Sequence, residues 1–411
     1  MLEFSHRWDP SRTFGTAPSK GYKEEDEMVF STYLDRPAFT ACVVGLSVLA
    51  LPVAAQDEVE RCELCGAGAE LISRFQLREA PSPVRERGGW TPPVRIVMVG
   101  DEGLAALIRT VAPNADVIRV SSARAAARVI AEADVYVGQC TRDLIEAGVN
   151  LKWIQLSSAG VERCARIPEV AERGILVTNM QRIYGAQIAE HAIAMMLALA
   201  RALPRYGAEQ AAGRWSGGAS QIFEPAFLEV GGKTMLVVGL GGIGTEVAKR
   251  ASGLGMRVQA TRNSRRAGPE YVEYVGLAYE AVELAANADV VVNATPLTPG
   301  TRGMFDAAFF AAMKETAYFI NVGRGESVVT GDLVTALESG AIAGAGLDVT
   351  DPEPLPPGHP LWSMPNVILT PHIAAGSDLF TRRFTVMVAE NMRRYVAGER
   401  MLSVVDLKRG Y

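Results

Sequence analysis

Thr234-Met-Leu-Val-Val-Gly-Leu-Gly-Gly-Ile-Gly-Thr245 reads as a buried strand running into a glycine-rich turn, and Glu246-Val-Ala-Lys-Arg-Ala251 continues it as a helix. The G-x-G-x-x-G spacing gives each glycine a task. Gly239 makes the turn, Gly241 lets the backbone approach a diphosphate, and Gly244 lets the helix sit close on the sheet. Gly242 and Ile243 complete the loop. A diphosphate placed there meets free N–H groups and the positive end of a helix dipole. Glycine-rich turns also occur as plain structure. Here a strand precedes the turn, a helix follows it, and a second strand, Arg257-Val-Gln-Ala260, stands at the right distance. Together they make a dinucleotide-binding unit.

The second strand also bears on which dinucleotide is bound. A unit specific for NAD places Asp or Glu about 20 residues past the glycines to hold the ribose 2′-hydroxyl. This chain has Thr261-Arg-Asn-Ser-Arg-Arg266 there, with no carboxylate. Arg262 and Arg265 would attract a 2′-phosphate, and Thr261, Asn263 or Ser264 would add hydrogen bonds. The expectation is NADP(H) preferred, with NAD(H) usable. The plain alternative is a solvated basic loop.

With 411 residues, 21% charged and 48% hydrophobic, and a net charge of −5, the composition is that of a soluble globular protein with room for two cores. The slight acidity gives no nucleic-acid surface. The first 92 residues differ in kind. After a polar stretch come Met28, Arg36, an apolar run from Ala38 to Leu51, and Pro52-Val-Ala-Ala55. That order is a secretory signal, with Met28 as the start and a mature protein beginning near Gln56. A membrane anchor, for which the run is short, and a cytoplasmic protein with an apolar tail are the other readings. No stable membrane insertion is expected after processing. The five cysteines are scattered. Cys62-Glu-Leu-Cys65 has no second pair and no nearby His, so no metal site is expected; the two read as reduced bystanders, or as a local disulfide if the chain is exported. Residues 76–93, with four prolines, read as an irregular linker.

From Val94 onward strands and helices alternate, which implies parallel sheets covered on both faces. The fold class is α/β: two Rossmann-like or flavodoxin-like parallel-sheet domains with a cleft between them. Residues 1–92 form the leader and linker, 93–203 plus 376–411 a substrate domain, and 204–375 the nucleotide-binding domain. The Arg382–Tyr395 helix is expected to fold back on the first domain. Ser157-Ser-Ala-Gly-Val161 is a small-residue loop at a strand's carboxyl end, where open α/β sheets bind ligands. The Ile188–Arg201 stretch is apolar nearly all round. It implies a buried helix and, since it has more apolar sides than a monomer would cover, a homodimer. His191 within it is expected to be a satisfied core histidine, and Trp215 to pack.

Several ordered motifs over residues 93–400 carry a family resemblance: the glycine loop ending at Gly244, Ala294-Thr-Pro-Leu-Thr298 with Thr301, Asn321-Val-Gly-Arg-Gly325, Leu347-Asp-Val-Thr-Asp-Pro-Glu-Pro354 and Thr370-Pro-His-Ile-Ala-Ala375. With them the chain resembles the D-isomer-specific 2-hydroxyacid dehydrogenases, which interconvert 2-oxo acids and D-2-hydroxy acids. The resemblance implies a catalytic set of Arg324, Glu353 and His372. Reduction of a 2-oxo acid needs a hydride at the carbonyl carbon and a proton at its oxygen. His372 would donate the proton, Glu353 would orient the imidazole and stabilise its charged form, and Arg324 would pin the carboxylate with its planar fork. It further implies Thr295, Pro296, Thr301, Val322, Gly323 and Asp348 along the cofactor, and Ser158, Ala159 and Gly160 at the substrate carboxylate. Asn179-Met-Gln-Arg-Ile-Tyr-Gly185 departs from the commoner family form, and Tyr184 is expected to face the substrate. A small ketoacid reductase of glyoxylate or hydroxypyruvate type is the leading expectation. The rivals are a non-catalytic corepressor-like dinucleotide sensor and a formate dehydrogenase-like enzyme, neither of which needs the His–Glu pair.

Overall fold

The computed structural model describes residues 66–215 and 227–410. The signal-like segment 28–55, Cys62 and Cys65 lie outside them. Five parallel strands form the first sheet: β1 (Arg95–Val99), β2 (Asp116–Val120), β3 (Val135–Val137), β4 (Trp153–Gln155) and β5 (Leu176–Thr178), in the order β2-β1-β3-β4-β5. The second has seven: β6 (Thr234–Val238), β7 (Arg257–Arg262), β8 (Tyr274–Leu277), β9 (Val290–Asn293), β10 (Tyr318–Asn321), β11 (Gly344–Leu347) and β12 (Val367–Leu369), in the order β12-β11-β10-β9-β6-β7-β8. Its pairs too are all parallel. Strand order reverses between β6 and β9, the crevice where open α/β sheets bind nucleotides. Every residue of β6 and β9 is buried, as parallel strands covered by helices on both faces must be.

The Phe380–Ala397 helix does return to the first sheet. Met387, Val388, Ala389, Met392 and Tyr395 are buried, and the Tyr395 ring stacks on Trp153 of β4 with centroids 4.8 Å apart. The segment before β1 is more than the linker its prolines suggest. Residues 66–75 are helical, and Leu71, Phe75 and Leu77 pack in one cluster with Tyr184, Phe380 and Met387. Farther on, Glu79 bridges to Leu402, and Trp90 Nε1 donates to the Tyr395 carbonyl. Prolines deny this stretch regular hydrogen bonding, but its apolar side chains still dock.

Two further expectations change, and one feature had no counterpart among them. The Gly185–Ala200 helix buries ten of its residues within its own chain, so its apolar sides do not require a partner. It packs with the Gly242–Gly253 helix and with β10, β11 and β12. Trp215 is 98% exposed rather than packed. Cys140 and Cys164 form a disulfide, with Cα atoms 5.3 Å apart. Their separation of 24 residues hides the pairing in the sequence, but β3 and β4 are neighbours and both cysteines follow those strands' carboxyl ends. Among the described residues no single helix is long and apolar enough to cross a membrane.

Candidate active site

Gly239 has φ +97, and a Cβ there would meet the Ala294 carbonyl at 2.8 Å. At Gly244 a Cβ would run into the Gly239 carbonyl, so the helix approaches the strand only because residue 244 is glycine. At Gly241 a Cβ would meet nothing within 4 Å, which is open space at the amino end of the Gly242–Gly253 helix. That loop fits a diphosphate. Gly242 has another duty, since a Cβ there would lie 3.0 Å from the Arg182 Cα. The first sheet's Asn179–Gly185 loop presses backbone to backbone on the glycine turn.

Beyond Ala260, strand β7 runs on through Thr261 and Arg262. Thr261 is only 2% exposed, which takes it out of the expected set of phosphate donors. Arg262, next along the strand, stays partly exposed. Arg262 is braced by its own loop: Nε donates to the Leu240 carbonyl at 2.9 Å and Nη1 to that of Ala267 at 2.8 Å. Arg266 is consumed structurally, bonding Tyr274 and Tyr279 and pairing with Glu280. That partner, then Tyr274 and the Leu277 amide, hold the Glu280 carboxyl down to about 2. Arg265 is exposed beside them.

At the carboxyl ends of β10, β11 and β12 the candidate catalytic residues converge. His372 Nδ1 is 2.7 Å from Glu353 Oε1, leaving Nε2 without a protein partner among the described residues. Burial alone would raise the Glu353 carboxyl. The His372 hydrogen bond and charge, then the Thr350 amide and Arg324, outweigh burial and hold it below its ordinary 4.5. His372 sits at φ +54, a left-handed conformation that costs an L residue energy and is found at functional sites. Asp348 holds that conformation. It is buried at 3% exposure, and its carboxylate accepts from Thr370 Oγ1, Ile373 N and Ala374 N. His191 is satisfied in the same network, with Nε2 2.8 Å from Thr370 Oγ1.

Arg324 follows β10. Its carbonyl accepts from Asn321 Nδ2 and Ser327 Oγ, and the buried Asn293 of β9 bonds both Asn321 and Ser327. The guanidinium reaches into the other domain. Nε donates to Glu162 Oε1 at 3.0 Å, and Nη2 occupies the space that a Cβ on Gly160 would need. Gly160 is therefore glycine because an arginine lies against it. Ser158 Oγ donates to the Gly160 carbonyl, Asn179 Nδ2 donates to the Ala159 carbonyl, and Gln139 Nε2 donates to Ser157 Oγ. Tyr184, expected to face substrate, lies behind this loop. It is 3% exposed, stacked on Phe380, and its hydroxyl donates to the Ser157 carbonyl. Thr295 is buried and tied to Asn293 Oδ1, while Thr301 Oγ1 donates to the Pro296 carbonyl, so both shape the loop after β9. Val322 is buried and follows β10, and the Gly323 amide donates to Asn321 Oδ1. Glu162, Asn293 and Gln139 carry no motif signature. Only the fold brings them to the site.

A glycine loop at a sheet switch point, facing an imidazole–carboxylate pair and an arginine, defines a two-domain oxidoreductase that uses a nicotinamide dinucleotide. The family model described as D-isomer specific 2-hydroxyacid dehydrogenase, NAD binding domain, matches residues 193–374. Glyoxylate reductase/hydroxypyruvate reductase of Homo sapiens is 36% identical over 269 residues, covering 65% of this chain and 80% of the relative. Glyoxylate reductase of Thermofilum pendens is 35% identical over 271 residues, covering 64% and 77%. Two crystal structures superpose with TM-score 0.65 at 28% identity. One is a D-isomer specific 2-hydroxyacid dehydrogenase from Xanthobacter autotrophicus with NADPH and MES, covering 78% of this chain and all of that one. The other is an NADPH-dependent glyoxylate/hydroxypyruvate reductase from Sinorhizobium meliloti with NADP and sulfate, covering 77% and all of that chain. This chain belongs to the D-isomer-specific 2-hydroxyacid dehydrogenase family. It is an oxidoreductase acting on the CH–OH group of hydroxy acids.

Proposed function

We propose that the chain reduces a small 2-oxo acid of the glyoxylate or hydroxypyruvate type to its D-2-hydroxy acid, with NADPH preferred. The observation that carries this reading is the placement of Arg324. Its guanidinium lies against Gly160 and acts on Glu353, so carboxylate clamp, small-residue loop and His–Glu pair face one space. The bound dinucleotide supplies the hydride. His372 Nε2 delivers a proton to the carbonyl oxygen, and Glu353 fixes the ring through Nδ1. Arg324 binds the substrate carboxylate, with the backbone of Ser158, Ala159 and Gly160 beside it. A sensor or a formate-oxidising site has no use for that proton donor, which disfavours both rivals.

Support for NADPH comes from Arg262, which its two carbonyl contacts hold at the end of β7 where no carboxylate stands. A charge-assisted hydrogen bond is worth about 1.5–3 kcal/mol, or about 10- to 100-fold in affinity. NADPH is therefore expected to exceed NADH by at least about tenfold in kcat/KM. Arg262→Ala should lose most of that ratio through NADPH alone. Comparable wild-type kinetics with NADH would show that these arginines do not read the 2′-phosphate.

Export and dimerisation belong to the same proposal. The Cys140–Cys164 disulfide supports an oxidising compartment and so the signal-like segment. Intact mass of natively produced protein should show a start near Gln56; a chain beginning at Met1 or Met28 in the cytosol contradicts export. For a homodimer the support moves to the Leu203–Ala211 helix, which buries no residue and is flanked by exposed Trp215, with Leu203 itself 56% exposed. Light scattering should give twice the chain mass, and a monomer at dilute concentration rejects the pairing.

A further inference from the structure

The glycine loop is met by arginines from outside the nucleotide-binding domain. Arg182 belongs to the loop after β5 and adopts φ +72 with its Cα and Cγ each 3.0 Å from where a Gly242 Cβ would stand. Arg78 comes from the segment before β1. Its carbonyl accepts from Ser403 N at 2.9 Å, and the Ser403 carbonyl accepts from Asn179 N at 3.2 Å, which lays Arg78 beside the Arg182 loop. The preceding Leu77 is buried in the same cluster as Met180, Ile183 and Leu240. Leu240 is the residue whose carbonyl braces Arg262.

Among the described residues, the side chains of Arg78, Arg182 and Arg265 make no hydrogen bond or ion pair, and Arg262 bonds only backbone carbonyls. Burial lowers Arg182, and the charges of Arg78 and Arg262 lower it further. Burial likewise lowers Arg262, followed by Arg265 and Arg78. No carboxylate acts on either. Crowded guanidinium groups without a counter-charge repel one another and favour a bound anion. By contrast the buried Arg394 is paired with Glu390 at 2.6 Å.

We propose that Arg78 and Arg182 complete the 2′-phosphate site with Arg262, so that the segment before β1, outside the family match, takes part in choosing the dinucleotide. The inference rests on the NADPH reading above and deepens it. Its consequence is that residues 66–93 are a working part of the cofactor site as well as a brace for the last helix.

Equilibrium binding to the full-length protein tests it, with NADPH, NADH, adenosine 2′,5′-bisphosphate and adenosine 5′-monophosphate as probes. Arg78→Ala and Arg182→Ala should each weaken NADPH and the bisphosphate by about tenfold, the lower end for one lost charge-assisted hydrogen bond. NADH and the monophosphate should bind as before. Arg78→Lys should recover part of the loss, since it restores charge without the fork. Unchanged thermal melting of the variants would confirm that the fold is intact. If wild type binds the bisphosphate no better than the monophosphate, the NADPH reading fails and takes this inference with it. If wild type and Arg262→Ala behave as proposed but Arg78→Ala and Arg182→Ala keep full NADPH affinity, this inference alone is overturned. Equal weakening of NADPH and NADH would also overturn it.

Discussion

Replacing His372 by alanine is expected to lower kcat by at least about 10²-fold, the lower range of general acid–base assistance, while dinucleotide binding persists. The reason is positional. Its Nδ1 is committed to Glu353 at 2.7 Å, so Nε2 is the nitrogen presented for transfer. The left-handed φ of +54 is held by Asp348 through the amides that follow, and alanine would keep that loop while deleting the donor. Glu353→Gln should act by a different route. The native carboxyl lies below its ordinary 4.5, so it stays ionised through neutral and mildly acidic pH. The pair's contribution to stability is accordingly present above that value and lost as pH falls through the lower folded one. An amide cannot balance an imidazolium, so the variant's reduction rate should fall off at lower pH than wild type. Coincident pH profiles would show that Glu353 does not tune the pair.

The second large effect is at Arg324. Arg324→Ala should raise KM and lower kcat together, for a loss of about 10³-fold or more in kcat/KM, because its charge both binds the carboxylate and polarises the carbonyl. Gly160→Ala offers an independent check from the opposite domain. The added methyl would overlap the Arg324 guanidinium, so arginine must leave its place while remaining in the chain. KM should rise for 2-oxo acids while dinucleotide affinity holds. Wild-type KM in Gly160→Ala would mean that Arg324 does not work from this position.

The nucleotide-binding unit was legible because its signals are local. Four consecutive apolar residues, three glycines at fixed spacing and an amphipathic helix need no distant partner to be recognised. The candidate trio was legible only through the resemblance, since Arg324, Glu353 and His372 leave three different strand ends. What stayed hidden depends on packing between distant segments. Glu162 means nothing until Arg324 crosses the cleft to it, and Cys140 finds Cys164 only because β3 and β4 are neighbours. Strand β8 escaped notice because Tyr274-Val-Gly-Leu277 is short and holds a glycine. Thr261 and Tyr184 were misplaced for a related reason. Residue type names a possible donor, but burial at the end of β7 and the stack on Phe380 decide what it can reach.

The central claim is that this cleft reduces a small 2-oxo acid with His372 as proton donor. Wild type and His372→Ala should be assayed side by side with NADPH on glyoxylate, hydroxypyruvate, pyruvate and bulkier 2-oxo acids, following loss of reduced-nicotinamide absorbance. Wild type should oxidise NADPH with at least one of the small acids, and His372→Ala should lose at least about 10²-fold of that rate on the same substrate. Equal rates for the two proteins, or no NADPH oxidation by wild type with any of these acids, would contradict it.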